Sequence, residues 1–122
     1  MKVLVIEDEP LIRDIYAEFL EILGHEADVA VDGREGLGRF DPLVHKVVVT
    51  DFLMPGLTGL EIAEAIRARS RTTPVVLISG SAEQPDERRA AQAGLRFLRK
   101  PVSFAQFKAT LAAVVEPAGG AQ

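Results

Sequence analysis

Five short, largely apolar runs alternate with five stretches of helical spacing, and that alternation limits the fold more than any other feature of the chain. The runs are Lys2–Ile6, Glu26–Val31, Lys46–Thr50, Pro74–Ser79 and Leu95–Leu98. The first, third and fourth are apolar at nearly every consecutive position, as strands covered on both faces must be. Repeated strand–helix units build a parallel sheet with helices on both sides, joined by right-handed crossovers.

The helical stretches carry their own punctuation. Pro10 suits a first helical turn. Leu11, Ile15, Phe19 and Ile22 then recur at steps of three and four, which predicts one buried face, and Gly24 is the expected stop. Asp32 is a candidate cap for a second helix running through Leu37 and Phe40, although Gly36-Leu37-Gly38 weakens it and Asp41-Pro42 ends it. A third helix starts after Gly59 with Leu60, Ile62, Ala63 and Ile66 as its apolar stripe. Arg67, Arg69 and Arg71 crowd its end, where a solvated cation cluster suits the helix dipole. A fourth follows Pro85 and stops at Gly94. The last runs from Ser103, as N-cap, through Phe104, Phe107, Leu111 and Val114. Residues 1–116 form the expected domain, with 117–122 as a frayed tail. The expected class is α/β: a flavodoxin-like, doubly wound parallel sheet of five βα units in strand order 2-1-3-4-5, whose switch point lies between strands one and three.

Bulk properties exclude several functions. A chain of 122 residues is one domain by length and long enough for a core without staples. Its net charge of -4 argues against direct nucleic-acid binding, which leaves a basic footprint. Without cysteine there is no disulfide, thiolate nucleophile or Cys-ligated zinc. No apolar stretch approaches the ~18 residues that span a membrane, and the first residues do not resemble a signal peptide, so a cytoplasmic location and no membrane partner are expected. His25 and His45 lack metal-ligand spacing and read as surface residues.

Chemistry gathers at the strand ends. Glu7-Asp8 follows strand one, Asp51 ends strand three and precedes Phe52-Leu53-Met54-Pro55-Gly56, and Lys100-Pro101 follows strand five. Ligands of open α/β sheets bind at the carboxyl ends of strands, beside the switch point. Taken alone, each piece has an ordinary account: a solvated turn capping helix one, a loop cap, a strand-end hydroxyl at Ser79, a Lys-Pro turn. Together, at one sheet edge, they describe a metal-assisted phosphoryl-acceptor site.

With these pieces in order, the chain to about Val115 resembles the receiver domain of two-component response regulators. The resemblance implies that Asp51 accepts a phosphoryl group from a sensor histidine kinase or histidine phosphotransfer protein. It implies Mg²⁺, for which Mn²⁺ can substitute, held by Asp8, Asp51 and the backbone carbonyl of Leu53, with Glu7 acting through water. Lys100 would pair with Asp51 and then with the phosphoryl oxygens; Ser79 and Gly80 would bind the phosphoryl group. Ser79 and Phe97 would form the switch, and Lys100-Pro101 is a candidate cis peptide. The face of the fourth helix, fifth strand and last helix (α4-β5-α5 in receiver terms) would bind a downstream protein or a second phosphorylated copy. Such a domain is not a turnover enzyme, and the short chain suggests a single-domain regulator, or else the receiver cut from a longer regulator or hybrid kinase.

Several positions depart from the common receiver pattern. Glu7 stands where Asp is commoner, Ser79 where Thr is frequent, and Phe97 where Tyr is frequent, which removes any phenol-dependent readout. Leu53, two residues past the acceptor, cannot orient a hydrolytic water, so a long-lived phosphorylated state is expected. Three other readings compete. A haloacid-dehalogenase-like phosphatase would carry a second Asp at position 53, a pseudo-receiver would have lost site positions that are filled here, and a flavodoxin-like FMN binder would not place Glu7-Asp8-Glu9 in its phosphate loop.

Overall fold

The computed structural model describes residues 1–80, Arg88 and 94–115. Five parallel strands, β1 (Lys2–Ile6), β2 (Glu26–Ala30), β3 (His45–Asp51), β4 (Val75–Ser79) and β5 (Leu95–Arg99), form one sheet in the order β2-β1-β3-β4-β5. Helices α1 (Pro10–Ile22), α2 (Gly33–Arg39), α3 (Gly59–Arg69) and a C-terminal helix (Phe104–Val115) complete the described residues. The expected fourth helix, apart from Arg88, and the tail from 117 lie outside them.

Consecutive apolar residues on the central strands divide between two cores because side chains alternate across a strand. Val3, Val5, Val47, Val49, Val76 and Ile78 pack under α1 and the C-terminal helix, with Tyr16, Leu20, Phe107 and Leu111. Leu4, Ile6, Val48 and Val75 pack under α2 and α3, with Phe40, Ile62, Ala63 and Ile66. Each aliphatic chain buried this way contributes roughly 1.5–3 kcal/mol.

The helix starts follow cap chemistry. Asp32 accepts from the Glu35 backbone N–H at 2.8 Å, and Ser103 from Gln106 N–H at 3.1 Å. Thr58 and Glu61 form a reciprocal capping box on α3, which the Thr58-x-x-Glu61 spacing would have announced. The glycines that weakened the case for α2 are what seat it. A Cβ on Gly36 would stand 2.3 Å from Ile6 Cδ1, so a larger residue would force the buried Ile6 side chain or the helix to shift.

Three expectations are corrected. The stripe expected to bury α1 faces outward: Leu11, Ile15 and Ile22 are 77%, 40% and 65% exposed. The helix turns Tyr16 and Leu20 inward, with Ile12, Phe19 and Leu23 packed beside them, so the aromatic ring meets Phe107 at 5.8 Å. His45 is not a surface residue but 2% exposed. Its Nδ1 accepts from the Asp41 N–H at 3.0 Å and its Nε2 meets Asp28 Oδ2 at 2.7 Å, tying β3 to β2 across the start of β1. The hydrogen bond from His45 holds the Asp28 carboxyl below its ordinary range. Arg69 is more than a solvated helix end: it donates to the carbonyls of Leu37 and Phe40 at 2.7 and 3.0 Å and lies over the Phe40 ring.

Candidate functional site

Strand alternation and register assemble the site. Val3, Val5 and Glu7 point to one face, as do Val47, Val49 and Asp51. Ile6 pairs with Thr50, so the next position on each strand sets Glu7 beside Asp51. Carboxylate oxygens of Glu7, Asp8 and Asp51 all lie within 4.8 Å of one another. Lys100, just past β5, brings its Nζ to 2.9 Å from Asp51 Oδ1. Its backbone N–H donates to the Ser79 carbonyl at 2.9 Å, fixing the residue beside the end of β4. The Lys100-Pro101 peptide is cis, as expected.

The backbone around Asp51 is pinned from several sides. Phe52 N–H donates to Ile78 O at 2.8 Å, and Gly59 N–H donates to Phe52 O at 2.7 Å. Gly59 has to lack a side chain, since a Cβ there would meet the Asp51 carbonyl oxygen at 2.4 Å. Arg13 donates to the Glu7 carbonyl at 2.9 Å and so fastens the turn after β1 to α1. No spacing along the chain announces this role for Arg13, which depends on where α1 turns. Gly59 carried a signal in its place just after the Thr58 cap position.

The electrostatics are those of charges gathered under partial burial. Glu7 is fully buried rather than in a solvated turn, and Asp51 is buried too, while Asp8 is half-buried. Burial, and then the charge of Asp51, push the Glu7 carboxyl up to about 7. Burial also raises Asp51 against the pull of Lys100, with Asp8 adding to the rise. For Lys100 burial works to lower the value, but Asp51 and then Glu7 outweigh it and hold the ammonium protonated. Glu7 Oε1 and Asp51 Oδ1 are buried without a hydrogen-bond partner. The Lys100 ammonium nevertheless meets Asp51 Oδ1 as an ion pair at 2.9 Å, which leaves Glu7 Oε1 as the oxygen without a cation beside it.

Orphaned buried carboxylate oxygens cost free energy unless a cation or proton meets them. Three clustered carboxylates supply the hard oxygen ligands that Mg²⁺ prefers, and one or two carboxylates with retained water is its usual protein share. The residues present therefore fit a divalent ion. Around this centre, Ser79 is buried at the end of β4 and Gly80 is half-buried. Leu53, two residues past Asp51, is 59% exposed, and Phe97 on β5 is 37% exposed. Among the described residues no helix is long and apolar enough to cross a membrane.

The comparisons with known proteins agree with this geometry. The response regulator receiver domain family matches residues 3–112. The two-component response regulator PhoP of Pseudomonas aeruginosa is 30% identical over 98% of this chain and 54% of its own length, so the chain spans about half of that relative. A response regulator receiver domain protein from Clostridium thermocellum superposes with a TM-score of 0.91 at 29% identity, covering 99% of this chain and 98% of that one. The response regulator protein TrrA from Thermotoga maritima, in complex with Mg²⁺-BeF, gives 0.83 at 29% identity over 93% of this chain and 97% of that one.

Proposed function

The chain belongs to the response regulator receiver family, and from that premise we propose that Asp51 accepts a phosphoryl group from a histidine of a sensor kinase or phosphotransfer protein. The observation that carries the reading is the cluster of Glu7, Asp8 and Asp51 carboxylate oxygens within 4.8 Å, with Glu7 Oε1 buried and unpartnered and Lys100 Nζ 2.9 Å from Asp51 Oδ1. A purely structural acid cluster would be satisfied by its neighbours.

An Asp51 oxygen attacks phosphorus, the P–N bond to imidazole breaks, and an acyl phosphate results. Asp8, Asp51 and the Leu53 carbonyl would hold Mg²⁺ or Mn²⁺, with Glu7 acting through water; the bound ion would screen an anionic donor from an anionic acceptor. Lys100 supplies a second, flexible point charge that can leave Asp51 for a phosphoryl oxygen. Ser79 and the Gly80 backbone then bind the phosphoryl group, which adds a near-dianionic charge and three acceptor oxygens. Those contacts favour a closed arrangement of the site, and Phe97 turns inward from its exposed position as the population shifts. The surface around β5 and the C-terminal helix is the proposed readout face for a downstream protein or a second phosphorylated copy.

Intact mass after incubation with acetyl phosphate tests the reading. One phosphoryl group should be gained with Mg²⁺ and none with chelator or in Asp51→Asn. Labelling that persists in Asp51→Asn would remove Asp51 from its role.

A further inference from the structure

Helix α1 differs from the other described helices in how it begins. Asp32, Thr58 and Ser103 each cap a helix by accepting from a backbone N–H through the side chain, whereas Glu9 at the start of α1 makes no such bond. The turn from β1 into α1 is held by another route, centred on Glu7. The Glu7 N–H donates to the Ala30 carbonyl at 3.1 Å, and Glu7 Oε2 accepts from the Glu9 N–H at 3.2 Å. One turn into α1, Arg13 is tied twice: its N–H donates to the Glu9 carbonyl at 2.9 Å, and its guanidinium Nη1 to the Glu7 carbonyl at 2.9 Å. The N–H, the carbonyl and one carboxylate oxygen of Glu7 are thus engaged, and Oε1 is left buried and unpartnered.

This pattern fixes an orientation. The Glu7 carbonyl belongs to the peptide plane that leads into Asp8, and a peptide unit is rigid. A bond from Arg13 to that carbonyl limits rotation of the plane, and with it the placement of Asp8 relative to Glu7. These two residues supply two of the three carboxylates gathered within 4.8 Å. A turn free to rotate would have to be ordered as an ion arrived, at the expense of affinity. Arg13 is half-buried, so the bond is partly shielded from competing water. Resting on the divalent-ion and phosphoacceptor reading above, we propose that Arg13 is a positioning residue for the ion: by holding the Glu7 carbonyl it presets the Glu7-Asp8 turn, so that both carboxylates serve the ion without prior rearrangement. Arg13 acts here through the backbone and touches neither the ion nor the phosphoryl group. Its loss should weaken binding of the ion and leave the step at saturating ion nearly unchanged.

Titration calorimetry of Mg²⁺ on the full chain, on Arg13→Met and on Arg69→Met makes the test. Methionine keeps much of the apolar stem and removes the guanidinium. Arg69 is the matched control, since it also donates to backbone carbonyls, those of Leu37 and Phe40 at 2.7 and 3.0 Å, but between α2 and α3. Arg13→Met should raise the Mg²⁺ Kd by about tenfold, as loss of a partner that orients a metal ligand does, and Arg69→Met by less than about twofold. At saturating Mg²⁺ the rate constant for labelling by acetyl phosphate, read by intact mass, should stay within about twofold of wild type in Arg13→Met. Denaturant melts establish that each variant is folded. Should Arg13→Met not fold, Arg13→Gln, which is uncharged and too short to reach the carbonyl, is read against the same limits. A Kd within about twofold of wild type, or an equal rise in Arg69→Met, would overturn the positioning role. So would a loss of about tenfold in rate at saturating Mg²⁺, which would place Arg13 at the reacting atoms. Failure of the wild-type chain to bind Mg²⁺ would instead remove the reading of the site itself, and the role of Arg13 with it.

Discussion

The two edges of the sheet handle buried polar groups in opposite ways. At the amino-terminal edge His45 has both ring nitrogens engaged, by Asp41 N–H and Asp28, within a structure that also ties Arg69 to two carbonyls. At the carboxyl-terminal edge Glu7 keeps a buried oxygen with no partner, and three carboxylates share the one Lys100 ammonium that meets Asp51 Oδ1. The first arrangement is complete in itself and stabilises the fold. On the proposed function a cation and a phosphoryl group would complete the second, and its unfavourable electrostatics without them would be the counterpart of affinity for them. Satisfaction, more than burial or charge, separates a structural polar cluster from a functional one.

Opposite responses to deletion would sharpen this contrast. Glu7 has a folded value of about 7, above its ordinary 4.5, so the folded state binds the extra proton. The Glu7 contribution to metal-free stability should then be fully present below pH 4.5 and be lost as pH rises through 7, by up to about 3 kcal/mol. Denaturant melts with chelator across this window should show the fall, and Mg²⁺ should reverse most of it at pH 8; a flat profile would break the comparison. Glu7→Gln should remove that pH dependence and raise metal-free stability at pH 8. His45→Ala should act the other way at every pH, losing roughly 2–4 kcal/mol, because it leaves a cavity, an unpaired Asp41 N–H and an Asp28 without its partner. A melt unchanged by His45→Ala would show that edge to be dispensable.

The smallest expected effect concerns Leu53, an apolar residue exposed over the acid edge. An amide there could orient water toward the phosphoryl group, so Leu53→Asn should shorten the lifetime of phosphorylated Asp51 several-fold, with little change in stability. The decay of the phosphorylated mass after donor removal measures this, and an equal or longer lifetime would reject the role of Leu53.

Strand order and strand-end chemistry were legible in the sequence because each follows from a local pattern and one topological rule. The apolar runs marked the strands, and the switch-point rule brought Glu7, Asp8 and Asp51 together. The face of α1 was not legible, because two apolar stripes are interleaved on it. Leu11, Ile15 and Ile22 satisfy the helical period as well as Ile12, Tyr16 and Leu23 do, and only the sheet beneath decides between them. His45 was misread for a related reason: its partner Asp28 lies on β2, with β1 in between, and no spacing along the chain announces that pairing. Arg69 likewise reaches back to Leu37 and Phe40, a contact set by how α2 and α3 pack. The glycines of α2 were read by intrinsic propensity, and close approach to Ile6 overrode it.

Tyr16 is the only tyrosine in the chain, and there is no tryptophan. Beyond the phenylalanine band, its near-ultraviolet absorption and emission therefore come from a single ring, which stacks on Phe107 and lines a recess beside Lys100. Burial, and behind it the charge of Glu7, already hold its phenol protonated well above the ordinary range. The molecule thus carries a native optical probe within electrostatic reach of Asp51, and loading or unloading of the acid edge can be followed by light without attaching a label.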